Sequence, residues 1–146
     1  MVLKKLVPQV PNLLKIPQSS GISGWICLLY NNLNPICLWV TNNDSYEIPI
    51  CLDERLYGDT IFKAEKINNT IILSDIYILN CTNIFRSTTY KQRSELISEI
   101  ISRFYTEIKG FPQIIPKSKY DFGGKKLKGY ELYTEEVGSK GYFVEN

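Results

Sequence analysis

The chain has 146 residues and a mass of 16.8 kDa, enough for one ordinary domain. Apolar residues make up 44% and charged residues 22%, the balance of a folded globule rather than a disordered chain. Seventeen basic and 15 acidic residues leave a net charge of +2, and no histidine is present. That absence excludes Ser-His-Asp and Cys-His catalysis, most zinc enzymes and histidine proton shuttles. No apolar run approaches the roughly 20 residues that cross a bilayer, so no membrane partner is expected. Pro8 and Pro11 interrupt any signal-peptide core near the start, which predicts no export and a cytoplasmic location.

Residues 1–24 carry Lys4, Lys5 and Lys15, no acid and three prolines. They read as an extended basic arm, with a single domain over residues 25–146. Trp25–Tyr30 and Ile36–Val40 flank an Asn/Pro turn, a strand-turn-strand signal. Tyr46–Cys51 predicts a third strand and residues 53–58 a loop. Thr60–Ile67 and Thr70–Leu79 flank Asn68-Asn69, a hairpin with a two-residue turn. Strict alternation would put Ile71, Leu73, Asp75 and Tyr77 on one face of the second strand and Ile72, Ser74, Ile76 and Ile78 on the other. Both faces are apolar enough for a central strand, so Asp75 needs a partner, either backbone or Arg86.

A helix is predicted over Tyr90–Ile108, opened by a Thr89/Gln92 capping box and closed by Gly110 and Pro112. Leu96, Ile97, Ile100, Ile101, Phe104 and Ile108 form its apolar stripe. Gln113–Lys117, Tyr130–Tyr133 and Tyr142–Val144 read as further strands. Strands, one helix, then strands predict an α+β fold with a mostly antiparallel twisted sheet.

Cys27, Cys37, Cys51 and Cys81 lie in apolar runs without a Cys-x-x-Cys pair, and read as buried free thiols. The sequons at Asn43, Asn68 and Asn80 are then chance matches. One alanine, Ala64, stands against 10 tyrosines. With the abundance of isoleucine, asparagine and lysine, that bias predicts an AT-rich source such as a parasite, a symbiont or a large DNA virus.

From residue 21 onward the order of segments resembles the covalent nucleotidyltransferases, that is, mRNA-capping guanylyltransferases and nucleic-acid ligases. It also resembles their non-catalytic relative, the snurportin cap-binding domain. The enzymes open a strand with Lys-x-Asp-Gly. The matching segment here is Gly21-Ile22-Ser23-Gly24, which keeps only the last glycine. An enzyme-like acid survives as Glu65 in Lys63-Ala64-Glu65. The run Ile72–Asn80, followed by Arg86 and the helix, resembles the enzymes' next motif. Lys128-Gly129-Tyr130 stands where an acid-glycine pair is expected, with lysine replacing the acid. The closing lysine strand would fall at Tyr142–Val144, without lysine.

The resemblance implies a nucleotidyltransferase-like core that has lost its covalent chemistry, since neither Gly21 nor Ser23 supplies an amine. No cofactor or metal is implied. What remains is a module for an mRNA 5′ cap, a related guanine nucleotide or an RNA end, serving translation, transport or transcription. Trp25, Trp39, Tyr130, Tyr133 and Tyr142 are candidate aromatic platforms for the base. Lys63, Lys126 and Lys128 are candidates for phosphate, together with Lys125. Glu65 is a candidate acceptor for guanine N–H groups. Each has a plainer alternative: strand tryptophans are commonly core, and lysines beside Gly123-Gly124 are commonly solvated. The competing function is a structural or protein-interaction subunit of a larger complex, without a nucleotide.

Overall fold

The structure is a computed structural model and describes residues 13–146. It is an α+β fold of two sheets, mostly antiparallel, with one α-helix among the described residues. The large sheet contains β2 (Ile22–Asn31), β3 (Asn34–Val40), β4 (Ser45–Glu47), β5 (Thr60–Ile67), β6 (Thr70–Leu79) and β7 (Thr82–Asn83), in the order β4-β3-β2-β5-β6-β7. Strand β8 (Gln113–Pro116) runs parallel to the first half of β6. The small sheet has the order β1-β9-β10, from β1 (Leu14–Ser19), β9 (Leu127–Tyr133) and β10 (Tyr142–Glu145). The helix α1 (Tyr90–Phe104) lies between β7 and β8 in the chain. It is not long and apolar enough to cross a membrane.

Of the expected basic arm, residues 1–12 lie outside the described residues, and Leu14–Ser19 form β1 in register with β9. The chain then passes from the small sheet to the large one in two residues, Ser20 and Gly21. A side chain at Gly21 would meet the Lys66 carbonyl oxygen at 2.5 Å, so the crossing requires glycine.

The two hairpins form where their turn residues predict. Asn32 and Leu33 join β2 to β3 at φ +49° and +70°, and Asn68 takes φ +52° between β5 and β6. The third expected strand is shorter than Tyr46–Cys51, because Pro49 has no N–H to continue a ladder. Beyond it Ile48 and Leu52 turn into the core. Residues Glu54–Leu56 of the expected loop form a 3-10 turn. Cys81 is a correction: it is exposed in the turn after β6 at φ +70°. Cys37 is buried, Cys27 and Cys51 are partly buried, and all four thiols are free.

Strict alternation fails in β6. Register shifts along β5 pair Lys63 with Asp75, Ala64 with Leu73 and Phe62 with Ile76, leaving Ser74 and Tyr77 between paired positions. Each irregularity exchanges the faces beyond it. Ile76 therefore joins Ile71, Leu73, Phe62 and Ala64 in the core, whereas Asp75 stands across from Lys63. The Ser74 hydroxyl donates to the Lys63 carbonyl at 3.1 Å and secures the bulge.

Helix α1 opens with the expected capping box. It ends at Phe104, four residues before Ile108, because tertiary pairing captures the next segment. Tyr105 bridges Leu52 as extended backbone, and the Thr106 N–H donates to the Cys51 carbonyl at 2.9 Å. Ile97 and Ile100 are buried in the core, with Leu96, Ile101 and Phe104 packed at its margin. Ile108 lies outside the helix and is exposed.

Asp75 accepts from the Ile76 backbone N–H at 2.8 Å, the backbone partner expected, and its charged partner is Arg93, not Arg86. Arg93 is wholly buried and donates from Nε to Asp75 Oδ1 at 2.7 Å. Its other nitrogens donate to the carbonyls of Thr88 at 2.7 Å and Ser139 at 2.9 Å. One guanidinium thus ties α1 to β6 and to the β9–β10 connection. Burial pushes the Asp75 carboxyl above its ordinary range, and Arg93 with the Ile76 N–H acts in the opposite direction. Replacing Arg93 by alanine strands a buried carboxylate and should cost about 3–5 kcal/mol. Chemical denaturation should show that loss, and the double change Arg93→Met, Asp75→Leu should recover much of it.

Candidate functional site

Two polar regions need separating, because only one is open. The first is buried where the sheets meet. Lys63 and Glu65 stand two residues apart on β5 and so share a face. Lys63 pairs with Glu131 of β9. Glu65 pairs with Lys117, just after β8, and accepts from the Ser19 N–H at 2.8 Å. Lys117 also stands 3.6 Å from Glu131. The result is an alternating chain, Lys63–Glu131–Lys117–Glu65, whose charges sum to zero. Glu131 Oε1 accepts no hydrogen bond among the described residues and rests on Lys117 electrostatically.

Tyr90 of α1 stacks on Tyr133 of β9 at 3.8 Å between centroids. Burial, with the Asp75 and Glu131 carboxylates nearby, pushes both hydroxyls far above the ordinary tyrosine range.

The second region is an open cavity of about 650 Å³ beside the β1–β2 crossing. Ser19 and Ser20 form one wall, Thr70 and Gln113 another. The third comes from the segment after β8: Lys119, Tyr120, Asp121, Phe122, Lys125 and Lys126. A short 3-10 turn over Lys117–Lys119 and a turn through Gly124, at φ +71°, fold that segment back on itself. Asp121 accepts from the Gly123 N–H at 2.9 Å and stabilises the turn. The Tyr120 and Phe122 rings meet edge to face at 4.7 Å. Lys125 lies 4.4 Å from the Tyr120 centroid and donates to the Asp121 carbonyl at 2.9 Å. Lys119 and Lys126 make no ion pair or side-chain hydrogen bond among the described residues.

The expected site residues do not converge. Trp39 is 2% exposed and packs in the core, its ring against Gly24, so it offers no face to a base. That packing also gives Gly24 a purely structural reason to be glycine. Trp25 is half-buried and meets Tyr77 edge to face at 5.1 Å, and Tyr77 meets Phe85 at 4.6 Å. Lys63 and Glu65 are committed to the buried chain; Glu65, at 2% exposure, is out of reach of a guanine edge. Tyr142 is 44% exposed on β10, away from the cavity walls.

Lys126 lines the cavity, as Lys125 does. Lys128 is exposed next to it and donates to the carbonyl of Gly21 at 3.2 Å. Lys119, Tyr120 and Phe122 escaped sequence reasoning. Their signal was present, since aromatics alternate there with charges in the lysine-rich segment.

The two regions should respond differently to substitution. Lys117→Ala leaves Glu65 buried without a cation and Glu131 with Lys63 alone, and should cost about 3–5 kcal/mol in denaturant melts. Lys126→Ala, at an exposed position, should change stability by less than about 0.5 kcal/mol. Compared with known proteins, the chain matches no protein-family model and no curated protein.

Proposed function

We propose that the chain is a non-catalytic binding module for a guanine nucleotide or an RNA 5′ end, the mRNA cap among them, held at the cavity beside the β1–β2 crossing. The observation that carries this reading is the juxtaposition of Lys119, Lys125 and Lys126 with Tyr120 and Phe122 around one open cavity. Lysines neutralise phosphate and release counterions, and aromatic faces stack on bases. That is the pairing of groups a nucleotide needs.

Gly21 supports the non-catalytic part. It takes the place of the nucleophilic lysine in the resemblance to nucleotidyltransferases. A Cβ there would meet the Lys66 carbonyl at 2.5 Å and Ile67 Cγ1 at 2.6 Å. The backbone crossing is closed to any side chain, so an amine has no room to sit at a phosphate. The paired lysines add to this. Lys63 and Lys117 are each paired with carboxylates, so neither amine is free to reach a phosphate.

Calorimetric titration with m7GTP, GTP and ATP tests the reading. Saturable binding of a guanine nucleotide is expected. The double variant Lys125→Ala, Lys126→Ala should weaken it on the order of tenfold or more. The slope of log affinity against log salt concentration should become shallower by about one per lysine removed. No binding of any of the three would leave the subunit reading in its place. Incubation with labelled GTP and Mg²⁺ should give no covalent band from the wild-type chain or from Gly21→Lys, which should also melt at a lower temperature. A covalent wild-type band would overturn the non-catalytic assignment.

A further inference from the structure

A second cavity, of about 280 Å³, adjoins the lysine-lined one and shares Tyr120 and Phe122 with it. Its other walls are Ile16 and Pro17 of β1, Tyr90 and Ser94 of α1, and Lys117 with Ser118. The two cavities differ in chemistry. The first presents three lysines to one aspartate. The second is walled by aromatic and aliphatic side chains. Its one lysine, Lys117, is already held by Glu65 and Glu131. Past Ile16, Tyr90 and Ser94 the surface continues into a third cavity edged by Lys91, Glu95 and Glu135, two acids to one lysine.

We infer that the two adjoining cavities form one composite site for a nucleoside polyphosphate, with the phosphates at Lys119, Lys125 and Lys126 and the base in the niche between Pro17 and Ser94. This rests on the functional reading above and adds to it the position and direction of the ligand. Three features set that direction. The lysines attract phosphate at one end. Beyond Ser94 the two acids outnumber Lys91, so phosphate is disfavoured at the other end. Tyr120 and Phe122, shared between the cavities, put a stacking surface where the sugar leads into the base. The base therefore sits near neither tryptophan.

Two probes separate the halves of the site: inorganic tripolyphosphate, which has no base, and GTP. Ser94 is half-buried on α1 and lines the niche, and it makes no side-chain hydrogen bond among the described residues. Ser94→Phe would fill the niche and leave every lysine in place. The wild-type chain should bind GTP at least about fivefold more tightly than tripolyphosphate, the contribution expected of one stacked base. Ser94→Phe should bring GTP down to the tripolyphosphate level and leave tripolyphosphate affinity unchanged, which also shows that the variant is folded. A second variant, Pro17→Trp, should act in the same way from the opposite wall. Equal wild-type affinity for the two probes would overturn the base niche and spare the phosphate cavity. So would undiminished GTP binding in both folded variants. Failure of both probes to bind the wild-type chain would overturn the functional reading itself.

Discussion

Lys117 stands between two buried carboxylates, and the meeting of the two sheets depends on it. One of those acids, Glu65, belongs to the large sheet; the other, Glu131, belongs to the small one. Lys63 extends the chain from β5 to Glu131, and Ser19 at the end of β1 is fastened to Glu65 through its backbone N–H. Such a chain is a poor source of net stability, because desolvation offsets most of the Coulombic gain. Its contribution is register. An apolar contact between sheets tolerates a slip, whereas four alternating charges satisfy one another in a single alignment.

That alignment places everything else. The fastening of Ser19 puts the β1–β2 crossing over Lys66, where only glycine fits. The anchoring of Lys117 starts the lysine-rich segment at a fixed point, so Tyr120, Phe122, Lys125 and Lys126 return to face Ser19 and Ser20. Arg93 performs the parallel task at the other end, drawing α1 and the β9–β10 connection onto Asp75. Charges that hold the sheets together are spent on one another. Exposed lysines are densest in one segment, Lys119 to Lys128, and for that reason the functional reading rests on them rather than on the paired ones.

Local signals were legible where local physics decides. The asparagine turns, the Thr89 capping box and the β5–β6 hairpin form where the residues predict, because turn and cap chemistry act over a few positions. Tertiary pairing overrode local preference at Tyr105–Thr106, which left the helix to bond with the Cys51–Leu52 segment. Alternation misplaced Asp75 and Ile76 because a bulge carries no strong signature in sequence. Arg93 did leave one: it falls on the buried stripe of α1 with Tyr90, Ile97 and Ile100. A charged residue at such a position implies a buried counter-charge. For the site, the lysine cluster was visible, and the depletion of Lys63 and Glu65 by mutual pairing was not. Nothing in a single sequence says that Lys117 will meet a glutamate from each sheet.

Amide chemical-shift mapping with GTP tests this account most directly. Paired, mutually neutralised charges and an open basic cavity with its adjoining niche predict that the largest shifts fall on Ser19, Ser20, Lys119–Lys126 and, beside the base, Tyr90 and Ser94. Trp25, Lys63 and Glu65 should remain near their free positions. Largest shifts at Lys63, Glu65 and Trp25, with the Lys119–Lys126 segment unmoved, would contradict it. Such a result would mean that the ligand enters between the sheets and displaces the ion pairs that this account holds closed.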